Sequence, residues 1–126
     1  MREILLVAAG GALGAAGRYL VGLQALRLFG PAWPAGTFAV NVIGSFIMGM
    51  AFAWLAPKGP DGARLALLLM TGMLGGFTTF SAFSLDLWLM IEDERFWSAI
   101  SYALLSVTLS LAALAGGVSL VRSMAP

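Results

Sequence analysis

Apolar residues in this chain neither alternate nor keep to a single stripe. They run on in four long stretches parted by three short turns. The first stretch goes from Ile4 to Leu28, interrupted by Arg18 and Gln24. Phe29-Gly30-Pro31-Ala32-Trp33-Pro34 follows, its prolines ending one helix and opening the next. The second stretch goes from Ala35 to Ala56, and Pro57-Lys58-Gly59-Pro60-Asp61-Gly62 is a polar hairpin. The third goes from about Leu65 to Met90 and meets the charged turn Glu92-Asp93-Glu94-Arg95. The fourth goes from Phe96 to Val121. Each holds 22 to 26 residues, enough to cross a ~30 Å hydrocarbon core with some tilt. A membrane barrel needs two-residue alternation, which is absent, so helices remain. The pattern predicts an all-α membrane protein with one domain over 1–126. Its spans are about 4–28, 35–56, 65–90 and 96–121, and the short turns make neighbours antiparallel. The first stretch is too long and glycine-rich for a cleaved signal peptide, and it carries an arginine deep inside.

Composition removes most chemistries. The 126 residues are 60% hydrophobic and 10% charged, where a soluble domain carries about 25% charged residues. With no Cys and no His, disulfides, thiolate nucleophiles, histidine-ligated metals and histidine acid–base catalysis are excluded. An intramembrane enzyme would lack a nucleophile–base set. The net charge of +1 leaves no footprint for nucleic acid. An even number of spans places both termini on one side, here side A, with Arg2, Lys58, Arg64 and Arg122. Side B holds Arg27 and Arg95, plus Arg18 if it snorkels there. So small a bias leaves two readings open: side A in the cytoplasm, or insertion both ways. Trp33, Trp54, Trp88 and Trp97 lie near span ends, as interfacial aromatics do.

Polar residues within the spans carry the functional information. Counted from side B, Asn41, Phe83 and Tyr102 lie at similar depth, roughly 9 Å inside the boundary at ~1.5 Å per residue. Tyr102, Ser106 and Ser110 recur every four residues, on one helix face. Such hydroxyls either bond back to their own helix or form a polar track. The Asn41 amide is costly to bury unpaired, so it either bonds another helix or faces a permeating polar species. Arg18 either snorkels or faces a water-filled vestibule. Asp86 is the only acid within a span, close to side B, with no assignable role.

The third span reads Thr71-Gly72-Met73-Leu74-Gly75-Gly76-Phe77-Thr78-Thr79-Phe80-Ser81-Ala82-Phe83-Ser84. A glycine pair followed by two β-branched residues predicts a weak point near mid-membrane. Either the small residues let helices touch, or the helix breaks and frees carbonyls for a cation. Phe77, Phe80 and Phe83 repeat every three residues. They are packing residues, or rings whose positive edges favour an anion without trapping it. Gly10-x-x-x-Gly14 supplies a small-residue packing face in the first span.

These segments resemble one family. Gly10-Gly11-Ala12-Leu13-Gly14-Ala15-Ala16-Gly17-Arg18-Tyr19 resembles the GGxxGAxxRY opening of the Fluc (CrcB) fluoride channels. Gly36-Thr37-Phe38-Ala39-Val40-Asn41-Val42-Ile43-Gly44-Ser45-Phe46 resembles their GTxxVNxxGSF segment. Gly72 to Ser84 resembles GxxGGFTTFSTF, with Ala82 where a Thr is frequent. The resemblance implies an antiparallel, dual-topology homodimer in the bacterial inner membrane. It implies passive fluoride export from the cytoplasm, hence fluoride resistance, through two pathways. A structural sodium ion at the centre would be held by the carbonyls of Gly75 and Thr78. Asn41, Thr79, Phe80, Phe83, Tyr102, Ser106 and Ser110 would line each pathway, and Arg18 the vestibule. Two other classes compete. A small proton-coupled multidrug exporter needs a titratable acid in the membrane, whereas Glu3 is terminal and Asp86 is near an interface. A scaffold without transport would leave the polar faces silent on mutation.

Overall fold

A computed structural model describes residues 1–125, so Pro126, the last residue of the expected domain, lies outside it. The first and second spans are single helices, α1 (Arg2–Phe29) and α2 (Ala35–Leu55), and the fourth is α6 (Phe96–Met124). A 3₁₀ turn, Ala56–Lys58, leads from α2 into the third span. That span is a composite. It starts as α3 (Gly59–Ala66), widens into a π-helical stretch, Leu67–Leu74, and narrows to one turn, α4 (Gly75–Phe77). Thr78 (φ −80°, ψ 157°) and Thr79 (φ −154°, ψ 118°) are extended, and α5 (Phe80–Glu92) completes the crossing. Four helical stretches are long and apolar enough to cross a membrane: Arg2–Phe29, Ala35–Lys58, Gly62–Glu92 and Phe96–Met124. Both side-B turns lie at the same end, where the Arg95 Nη2 donates to the Ala32 carbonyl at 2.9 Å.

Within the expected weak stretch the extended residues are the two threonines, not the glycine pair. Gly75 itself has helical angles (φ −62°, ψ −36°). The physical reason is a change of neighbour. The π-helical stretch and α4 pack against α1, whereas α5 packs against α6, and α2 touches both halves. The chain leaves the helix where it passes from one neighbour to the other, which a glycine count does not locate.

Small residues bring these helices into backbone contact, as membrane packing requires. A Cβ on Gly14 would overlap the Met73 carbonyl oxygen and come within 2.8 Å of the Phe77 nitrogen. Large apolar side chains such as Leu13, Leu20, Leu104 and Leu111 face outward on α1 and α6, where lipid rather than water is the surrounding solvent. Trp54, Trp88 and Trp97 are exposed as interfacial aromatics should be, with Lys58 Nζ 4.5 Å from the centre of the Trp54 ring. Trp33 differs: it is half-buried against Phe38 and Tyr102.

Candidate functional site

The site is built around the extended pair. Two extended residues inside an apolar span expose backbone groups that hydrocarbon cannot satisfy. Asn41 of α2 meets those of Thr79: its Nδ2 donates to the Thr79 carbonyl at 3.0 Å, and its Oδ1 accepts from the Thr79 amide at 2.7 Å. A side-chain amide can do both at once. In an uninterrupted helix the Thr79 amide would serve the Gly75 carbonyl, which therefore loses that donor. Thr78 bonds backward instead, its amide and its Oγ1 each donating to the Leu74 carbonyl at 2.9 Å. The Thr79 Oγ1 accepts from the Ala82 amide at 3.2 Å, capping α5, and lies 3.2 Å from the Ser81 Oγ. Gly44 gives the pair its seat, since a Cβ there would strike the Thr78 Cγ2.

Beside the pair runs a groove of about 240 Å³. Asn41 and Ser45 line it from α2, Thr78, Thr79, Phe80 and Phe83 from the third span, and Ser106, Val107 and Ser110 from α6. None of these side chains is ionisable. The Phe80 and Phe83 rings lie 5.5 Å apart, tilted by 50°. Phe83 is buried (7% exposed), whereas Phe80 is 77% exposed, on the open side of the groove. The Ser106 Oγ is the informative atom. Its residue is only 5% exposed, and among the described residues the hydroxyl has no hydrogen-bond partner. An unmet buried hydroxyl is rare in folded proteins and calls for an explanation.

Six of the seven residues expected along a pathway therefore share one groove: Asn41, Thr79, Phe80, Phe83, Ser106 and Ser110. Tyr102 does not line it. Its side chain is fully buried, its ring leans on Phe83 at 5.2 Å, and its hydroxyl donates to the Asp86 Oδ2 at 3.0 Å. The four-residue spacing puts its Cα on the same face as Ser106, but the long side chain carries the hydroxyl elsewhere. That bond also gives Asp86 a partner. The signal was present in the sequence, since Asp86 and Tyr102 each lie eight residues from Glu94 in the intervening turn. Ser45 went unread although it follows Asn41 by one helical turn. Arg18 is half-buried on α1 and lines neither this groove nor the larger cavity at side B. Gly75 is exposed on the surface of the chain and Thr78 is half-buried. Among the described residues no group of three or more acidic side chains could hold a metal ion.

Comparison with known proteins agrees with this architecture. Residues 5–118 match the family described as CrcB-like protein, Camphor Resistance (CrcB). A fluoride-specific ion channel FluC of a Caulobacter species is 54% identical over 123 residues, covering 97% of this chain and 96% of its own. The protein of that name from Cereibacter sphaeroides is 56% identical over 120 residues, covering 95% and 94%. One from Rhizobium meliloti is 48% identical over 124 residues, covering 98% and 99%. With four membrane-crossing helices and a match along nearly its full length, the chain is a multi-pass membrane protein of the CrcB family, a family of ion channels rather than enzymes.

Proposed function

We propose that this chain forms a passive, fluoride-selective channel in which the ion moves along the groove between Asn41, the Phe80 and Phe83 rings, and Ser106 and Ser110. The observation that carries the reading is the Ser106 hydroxyl, buried without a partner among the described residues in a groove lined by no charged side chain. Fluoride is small and strongly hydrated, so each water it sheds must be replaced by a hydrogen bond. Neutral donors in sequence offer that replacement without a charge that would trap the ion. Asn41 gives Thr79 only one of its two Nδ2 hydrogens. The rings add their positive edges. No acid lines the groove, and Asp86 is bonded to Tyr102, so the proton-coupled exporter reading gains no support.

The working unit in this reading is an antiparallel pair of chains with two pathways, inserted in both orientations in the inner membrane and letting fluoride out of the cytoplasm. The groove is open along Phe80, and Gly75 is exposed, as expected of surfaces that a second copy covers. The helix break at Thr78–Thr79 fits a shared cation site. The Gly75 carbonyl has lost its helical donor and Thr78 has left the helix, and unwound carbonyls are the groups that hold sodium in other membrane proteins. Gly75 and Thr78 of both copies would hold the ion, which supplies fixed positive charge at the centre of the pair.

The test is halide efflux from vesicles containing the purified protein, followed with ion-selective electrodes. Fluoride should leave rapidly while chloride stays near the leak of empty vesicles. Fluoride retained as in empty vesicles would overturn the reading. A second measurement addresses the key atom. Ser106→Ala removes an unpaired hydroxyl, so the thermal midpoint in detergent should not fall, while fluoride flux should drop about three- to ten-fold, the worth of one hydrogen bond. A lowered midpoint with unchanged flux would make Ser106 a packing residue.

A further inference from the structure

Trp33 stands where the sequence places a headgroup anchor, in the turn before α2, yet its ring turns inward. It meets Phe38 edge-on, with centroids 5.0 Å apart at 63°, and Tyr102 edge-on at 5.4 Å and 81°. Tyr102 meets Phe83 at 5.2 Å, and Phe83 meets Phe80 at 5.5 Å. Rings therefore run unbroken from the side-B turn to the groove. Cavities lie at both ends of this row. Trp33 borders a cavity of about 430 Å³ at side B, and Phe83 borders the groove of about 240 Å³. Tyr102 borders neither and is fully enclosed between them.

We infer that Trp33 is a positioning residue for conduction: it sets the orientation of the Phe83 ring through Tyr102 and touches no ion. The inference rests on the proposed route past Phe83. The two Trp33 contacts are edge-to-face and orient the Tyr102 ring, because each quadrupole prefers the other's edge against its face; Tyr102 in turn packs on Phe83 at a tilt of 51°. Asp86 holds Tyr102 at its hydroxyl, so the orientation of the ring itself rests on its packing neighbours. Trp33 supplies the contact on the ring, from the side opposite the groove. With Trp33 cut back, Tyr102 gains room toward the side-B cavity, and Phe83 loses the surface that holds it. A ring no longer held in one orientation turns its negative face to the route part of the time, which repels an anion.

The experiment is a double-mutant cycle read by fluoride efflux from vesicles, with the unmodified protein, Trp33→Leu, Phe83→Leu and the double variant. Trp33→Leu should slow efflux about ten-fold, the scale of two lost ring contacts, and Trp33→Phe should return it to within about two-fold. The double variant should be no slower than Phe83→Leu alone. Should Trp33→Leu fail to give monodisperse protein, Trp33→Met replaces it in the cycle. Unchanged flux in the Trp33 variant, or an equal loss in both backgrounds, overturns the inference while leaving the route intact. Unchanged flux in Phe83→Leu overturns the route past Phe83, and this inference with it.

Discussion

Vesicles carrying Asn41→Asp should release fluoride at least about a hundred-fold more slowly than those carrying the unmodified chain. Asn41 holds both backbone groups of Thr79, donating at 3.0 Å and accepting at 2.7 Å. An ionised aspartate keeps the acceptor and loses the donor. It sets two acceptor oxygens against each other and leaves the buried Thr79 carbonyl unmet. It also brings a negative charge into a groove that has none, against the charge of the permeating ion. Asn41→Ala separates the two effects, because it releases Thr79 without adding charge. It should fall between the unmodified protein and Asn41→Asp. Initial efflux rates on all three check the ordering, and an Asn41→Asp rate within about three-fold of the unmodified one would contradict a route past this residue.

The second large effect is on the fold, and two glycines three residues apart should give opposite signs. Ala replacing Gly14 would press its methyl into the Met73 carbonyl and the Phe77 amide. Backbone on both sides cannot yield without lifting α1 from the third span. The expected loss is more than about 2 kcal/mol of stability, as for overpacking in a tight core. Gly11 has open space where its Cβ would stand. There the usual helix preference applies, and Gly11→Ala should be neutral or gain up to about 1 kcal/mol. Thermal unfolding of both variants in the same detergent tests the contrast. Equal midpoints would mean that α1 is not seated through Gly14.

How much of this the sequence carried depends on the range of the cause. The four crossings were legible because uninterrupted apolar length is a local property. Asn41, Ser106 and Ser110 were legible because amides and hydroxyls in hydrocarbon need a reason wherever they stand. Depth counting brought Asn41 and Phe83 to one level, and both line the groove. Which residues of the weak stretch are extended was not legible, because that depends on where α1 gives way to α6 as a neighbour, which no local preference encodes. Tyr102 was read by the face its Cα occupies, but the end of a long side chain answers to its partner, here Asp86. Trp33 was read as an interfacial ring, and only tertiary packing shows it turned toward Tyr102.

The wide winding from Leu67 to Leu74 has a consequence for how this gene product tolerates changes in length. Bonds reaching five residues back, rather than four, store a surplus residue within the same rise. Losing one amino acid there lets the coil tighten to regular pitch, and the residues above and below keep their angular register. The same loss at Thr78 or Thr79 finds no slack. It would rotate everything from Phe80 onward and turn both phenyl rings away from Ser106.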